Sequence, residues 1–199
     1  DSHNRPYPKD PRIDWNTDDD EEDYEWTDKC HGEPIQTSFS HEFRSDLTVF
    51  QIPIEEPMEW EPRAPWFESA AQSLSEGLVL AASRTLGIDA DELEGGFRTR
   101  DADGSDPEGY LEVYLFDTTP GGAGFAARVW DEFDDVLNAA ERILSDCDCD
   151  SSCHSCLNVY QNRHLHESLN RHLGYDLIKY VQSGNPPALS ADRRDWLAD

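Results

Sequence analysis

Four cysteines crowd into ten residues as Cys147-x-Cys149-x3-Cys153-x2-Cys156. A thiolate is the metal-binding form of cysteine, and short spacers let one loop offer four of them to a single ion. Four sulfurs at about 2.3 Å in a tetrahedron is the structural zinc arrangement. The same four thiolates suit an iron–sulfur cluster, which stands as the alternative. Disulfides or buried free thiols are the reading without metal. A closed four-sulfur shell leaves no coordination position for water or substrate, so the chemistry expected here is structural and not catalytic. His154 lies inside the spacing as a substitute ligand or an exposed loop residue, and Asp146, Asp148 and Asp150 flank the thiols.

A second segment, Asp117-Thr-Thr-Pro-Gly-Gly-Ala-Gly124, joins a strand pattern to a helix pattern. Glycines there permit positive φ and close backbone approach. A helix N-terminus at such a turn is an anion site, so Asp117, Gly121, Gly122 and Gly124 are candidate phosphate- or nucleotide-binding residues. The same glycines are also what tight strand–helix packing requires. The turn lacks the Gly-Lys-Ser/Thr of a P-loop, and its glycine spacing differs from the dinucleotide fingerprint. Asp117 is the best acid–base candidate, but no partner stands near it in the sequence, and none of the common hydrolase, zinc-protease or kinase motifs occurs.

Weaker signals remain. Cys30-His31 is an isolated pair, and Asp101-Ala-Asp-Gly104 resembles the opening of a calcium loop with its glycine too early. His164 and His166 fall on different faces of an expected helix. Arg128, Arg142, Arg163 and Arg171 are read as carboxylate partners, with phosphate contacts as the alternative.

The elements that must position these groups follow from composition and periodicity. The 199 residues carry a formal charge of -27, and 13 of the 16 basic residues are arginine. Such a surface suits a salt-adapted protein, as in a halophile, where a Debye length of about 3 Å at molar salt removes the self-repulsion. No run of about 18 apolar residues predicts a membrane span, no signal pattern opens the chain, and clustered cysteines argue against a secreted disulfide scaffold. A cytoplasmic protein is expected, and the absence of a first Met suggests a piece of a longer one. Residues 1–38 read as an acidic linker or arm, 39–183 as the zinc-binding domain and 184–199 as a tail containing Trp196. Within the domain, strands are expected over 41–54, 96–100 and 110–117. Helices are expected over 65–86, 125–144 and 157–181, with a short capped turn over 90–93. The predicted class is α+β: a small sheet, about three main helices, and the cysteine knot between the last two.

Taken together, Tyr114-Leu-Phe-Asp117-Thr-Thr-Pro-Gly-Gly-Ala-Gly-Phe125, a helix, the cysteine spacing with Leu157, and Tyr160-x-Asn162 resemble the MrfA-type zinc-binding (MZB) domain. The resemblance covers about residues 40–182. It implies that the four cysteines are zinc ligands. It also implies an accessory role beside DEAD/DEAH-type helicases or in the DISARM phage-defence component DrmB. No Walker A or DExH motif occurs in this sequence, so the implied partner is a helicase motor elsewhere in the same or another chain, with DNA contacted directly or through it. The alternatives are an enzyme or ligand-binding domain built on the Asp117 turn, or a pure protein-interaction module.

Overall fold

A computed structural model describes residues 42–54, 64–100 and 109–185, all within one compact unit that begins at Glu42. Cys30-His31, the acidic turn at 101–107 and Trp196 lie outside the described residues.

Period-two alternation makes the first strand, β1 (Leu47–Ile54). Thr48, Ile52 and Ile54 point inward, while Leu47, Gln51 and Pro53 point out. β2 (Leu93–Arg100) and β1 both pair antiparallel with the central β3 (Gly109–Asp117), giving the order β1-β3-β2. Pro53 therefore sits on an edge strand, where a missing N–H is tolerated. On the inner face, Phe50 pairs across from Val113 and Ile52 from Leu111, and Leu111, Val113 and Leu115 are fully buried. On the opposite face the buried Glu112 accepts hydrogen bonds from Gln51 and Arg98, which hold its carboxyl below the ordinary carboxylate range.

α1 (Pro65–Leu86) is the axis of the domain. Pro65 sits at its first position, and Gly87 closes it in the left-handed conformation. Small residues such as Ala71, Ser73, Ala81 and Ala82 bury the helix on nearly every side, because the sheet and two later helices, α3 (Phe133–Ser145) and α4 (Arg171–Ser183), all pack against it. The crossing with α4 is closest at Gly174, where an added Cβ would lie 3.1 Å from the Ser73 side chain and 3.2 Å from the Leu74 backbone nitrogen.

Two local expectations change. The helix expected over 125–144 is two helices, α2 (Phe125–Asp131) and α3 (Phe133–Ser145), broken at Glu132. The break lets α2 follow the sheet while α3 turns onto α1, with Phe133 stacked on Phe50 of β1 at 4.8 Å. The last helix, α4 (Arg171–Ser183), begins fourteen residues later than the leucine stripe predicts. Asn170 caps it by accepting from the His172 and Leu173 N–H groups. Leu157 and Leu169 are buried as the stripe implies, but from turns and not from a helix. The short turn expected after Asp89 is present, with the Glu92 N–H donating to the Asp89 carbonyl at 3.1 Å, and it leads straight into β2 at Leu93. The α+β class holds: among the described residues a three-stranded antiparallel sheet carries four α-helices.

Candidate metal centre

α3 ends at Ser145, and the chain then supplies all four cysteines before reaching α4. Their Sγ atoms lie within 4.8 Å of one another. Three separations are 3.5 Å for Cys147–Cys153, 3.6 Å for Cys149–Cys156 and 3.9 Å for Cys153–Cys156. Sulfurs at the corners of a tetrahedron with bonds of about 2.3 Å stand about 3.8 Å apart. The donor set therefore fits zinc in number, element and spacing. Cys156 is buried and the other three are half-buried.

The thiols also need an ion electrically. The Ser155 N–H, 3.4 Å from its sulfur, holds Cys153 down to about 6. Burial pushes Cys149 up to about 12 and raises Cys156 as well. Thiols raised as Cys149 and Cys156 are do not ionise near neutral pH unless a cation compensates them, which a thiolate-binding dication does. The Cys153 N–H donates to the Cys156 sulfur at 3.3 Å, so the backbone already turns toward the site.

Two residues outside the spacing hold the loop. Arg171, at the start of α4, is buried, and its Nε donates to the Cys149 carbonyl at 2.9 Å while Nη1 donates to the Leu144 carbonyl at 3.0 Å. This is a correction: Arg171 serves neither a carboxylate nor a phosphate, but joins the end of α3 to the knot and to α4. Asn162 does the same for the following turns. Its Oδ1 accepts from the Val159 N–H, and its Nδ2 donates to the Leu157 carbonyl and to Glu76 of α1. Arg128 pairs with Glu132 as expected, and Arg163 lies over the Tyr160 ring. Arg142 lines a shallow cleft with Arg84 and Cys147.

His154 is exposed, with Nδ1 3.2 Å from the Asn158 carbonyl, and stands outside the four-sulfur group. His166 Nε2 lies 3.0 Å from both the Val159 carbonyl and Asn162 Oδ1. His164 lies within a short 3-10 turn, Arg163–Leu165, and His166 directly follows it, so the two do not share an α-helix.

At the other candidate, the strand-to-helix corner, Asp117 is fully buried. Its Oδ2 accepts from the N–H groups of Ala123 at 2.5 Å, Gly124 at 2.6 Å and Phe125 at 3.2 Å, and its Oδ1 from Ala126 at 2.7 Å. The donors that a phosphate would use are thus occupied by a carboxylate from the chain itself. Gly121, Gly122 and Gly124 all have positive φ. At Gly122 a Cβ would also collide with Asp46. The glycines serve a tight corner around Asp117, and an acid–base role for that carboxylate has no exposed atom to act through.

Residues 74–157 match the family model of the MrfA Zn-binding domain. The chain carries an MZB domain. The matched stretch runs from α1 to the residue after the last cysteine of the knot. The chain is 35% identical over 164 residues to the Druantia protein DruE of Escherichia coli (strain UMEA 4076-1), covering 79% of this chain and 9% of that protein. It is 37% identical over 49 residues to the uncharacterized ATP-dependent helicase YprA of Bacillus subtilis (strain 168), covering 25% of this chain and 6% of the relative. A solved structure, the DUF1998 helicase MrfA bound to DNA, aligns with a TM-score of 0.47 and 18% identity over 64% of this chain and 16% of the other. The chain spans less than a tenth of the length of these two curated relatives. The MZB domain is a zinc-binding domain of helicase-related proteins, and the four-sulfur group fits that ion. No helix among the described residues is long and apolar enough to cross a membrane.

Proposed function

We propose that Cys147, Cys149, Cys153 and Cys156 hold one zinc ion as a structural clamp, and that the clamped domain is an accessory part of a helicase-related DNA-processing or phage-defence protein. The observation that carries the ligand assignment is the near-tetrahedral spacing of the four sulfurs. Zinc supplies a fixed point there, and the protein does the rest. Arg171 ties the loop to α4, Asn162 ties the next turns to α1, and the helices close over α1. With four thiolates the shell has no open position, so the domain performs no reaction at the metal. The helicase motor belongs to the same or a partner polypeptide, in the cytoplasm, and DNA is reached directly or through it.

The test is metal content together with motor dependence. One zinc per chain is expected, lost when Cys149 or Cys156 becomes serine. In the intact helicase the same substitutions are expected to lower DNA-stimulated activity while the motor's own nucleotide binding persists. Iron with visible absorbance, or full activity without metal, would contradict the proposal.

A further inference from the structure

A cleft of about 580 Å3 opens between α1, the outer strand β2 and the turns that follow the knot. Its size lies in the range of small-ligand sites. At its mouth the Tyr160 side chain is 76% exposed, the most exposed large hydrophobic residue among those described. The Arg163 guanidinium covers one face of the ring at 4.5 Å from the centroid. The arrangement is fixed by a turn: the Arg163 backbone N–H and its Nη1 both donate to the Tyr160 carbonyl, at 3.3 and 3.2 Å.

Other arginines among the described residues are used differently. Arg98 and Arg100 go to Glu112, Arg128 goes to Glu132, and Arg171 goes to backbone carbonyls. Arg163 stacks on a ring instead and forms no ion pair with a carboxylate among the described residues. The other face of Tyr160 is left to solvent. Phe97 lines the cleft from the α1 side of β2, Tyr114 from the other face of the sheet lies over Gly96 at its edge, and the exposed Glu94 supplies a carboxylate acceptor. Glu76 and Asn162 line the floor, but their polar atoms are engaged with Gln72, with each other and with the neighbouring backbone.

We propose that this cleft binds single-stranded nucleic acid, with one nucleobase stacked on the free face of Tyr160 and the adjoining phosphate on Arg163. The site rests on the helicase-related reading above and names a point of direct contact for it. Aromatic rings stack on every base, and arginine adds to the stack and meets the backbone. The acidic wall orders the ligand: it repels phosphate, so the backbone stays at the Arg163 rim while the base turns inward. A carboxylate at Glu94 accepts from an exocyclic amine, so cytosine or adenine is favoured over thymine. With one phosphate contact in a strongly acidic domain, affinity depends weakly on salt, with a log–log slope of about -0.7 per contact on a single strand.

The experiment is fluorescence anisotropy of short labelled oligonucleotides with the full chain, over a salt series, with zinc content and thermal melting measured on the same samples. Oligo(dC) is expected to bind with a shallow salt slope, more tightly than oligo(dT), and an abasic strand of equal length weakly. Tyr160→Ala is expected to weaken oligo(dC) binding about tenfold or more, with Tyr160→Trp restoring it, at unchanged zinc content and melting temperature. Arg163→Ala is expected to flatten the salt slope by about one contact. Wild-type protein that holds zinc but does not bind, equal binding of abasic and base-bearing strands, or a Tyr160→Ala chain with wild-type affinity would each overturn the site. Among these outcomes, Tyr160→Ala that keeps oligonucleotide affinity but loses a protein partner would assign the ring to protein docking. Absent zinc would instead count against the metal-clamp reading, so the two failures are distinguishable.

Discussion

The corner at Asp117 and the loop at Cys147–Cys156 both connect a chain segment to a helix, and both concentrate unusual residues, but they are completed in opposite ways. At the corner, one buried carboxylate accepts four backbone N–H groups, and three positive-φ glycines let the chain wrap it. Donors and acceptor belong to the same polypeptide, so the corner is finished when the chain folds. In the loop, four sulfurs converge with mainly one another for company, and two of them are raised by burial. Among the described residues the chain offers these sulfurs two backbone N–H groups and one another, so an ion completes the loop. Similar density of special residues therefore does not imply a similar role: one region is complete by itself and the other requires a ligand.

The comparison breaks most sharply under metal removal. Structural zinc contributes on the order of 10 kcal/mol in small zinc-finger peptides. Chelation, or Cys156→Ser, is expected to cost the docking of α4 and the packing of α3 on α1, seen as loss of amide protection there in hydrogen exchange. The Asp117 corner and the sheet should hold their protection longer. Equal loss in both regions would erase the distinction.

Next in size is Asp117→Ala, which strands four N–H groups at the start of α2. Each buried donor left unpaired costs about 1–3 kcal/mol, so a loss of at least about 3 kcal/mol in chemical denaturation is expected, with zinc stoichiometry unchanged. Arg171→Met keeps much of the side-chain volume but leaves the Leu144 and Cys149 carbonyls without their donor. About 2 kcal/mol of stability is expected to go, together with about 10-fold in zinc affinity measured by competition with a chelator. Gly122→Ala places a Cβ at φ 79° and against Asp46, and should cost about 1–3 kcal/mol at the corner without touching the metal.

The smallest effect is electrostatic. Burial raises the Glu76 carboxyl above its ordinary value of 4.5. The folded state therefore holds this proton more tightly than the unfolded chain does. The group costs nothing while both states are protonated, and its burial penalty appears as pH rises from the ordinary carboxylate value through the raised one. Glu76→Gln lacks that titration, so its melting temperature relative to the parent should climb over the same window. A constant difference would show that the Glu76 charge is not what burial opposes.

How much of this is legible beforehand depends on whether the chemistry is local. The knot is legible because four ligands on one ion force a short spacing, and the strand before Asp117 because alternation and a glycine turn are both local marks. The central strand and the long α1 follow from periodicity in the same way. The break at Glu132 is not legible, since the apolar face continues across it. What divides the helix is tertiary, the stacking of Phe133 on Phe50 some eighty residues earlier in the chain. The late start of α4 is masked by leucines that keep helical spacing from Leu157 through Leu169 while being buried from turns. Asn170, a strong N-cap type directly before Arg171, is the local mark that locates the start. The supports of the knot are hardest to see. Arg171 looks like one more surface cation, and its service to two backbone carbonyls exists only once α3, the loop and α4 meet. The corner also shows a limit of motif reasoning: glycines and a helix N-terminus look alike whether the anion they hold is a ligand or, as here, Asp117.

The central claim is that one zinc held by the four thiolates completes the α3–α4 connection. Its most direct test is elemental analysis of the purified chain paired with thermal melting before and after chelation. The account predicts one zinc per chain, no iron, and a large fall in melting temperature that zinc alone reverses. A metal-free chain that melts at the same temperature, or one that carries iron with visible absorbance, would contradict it.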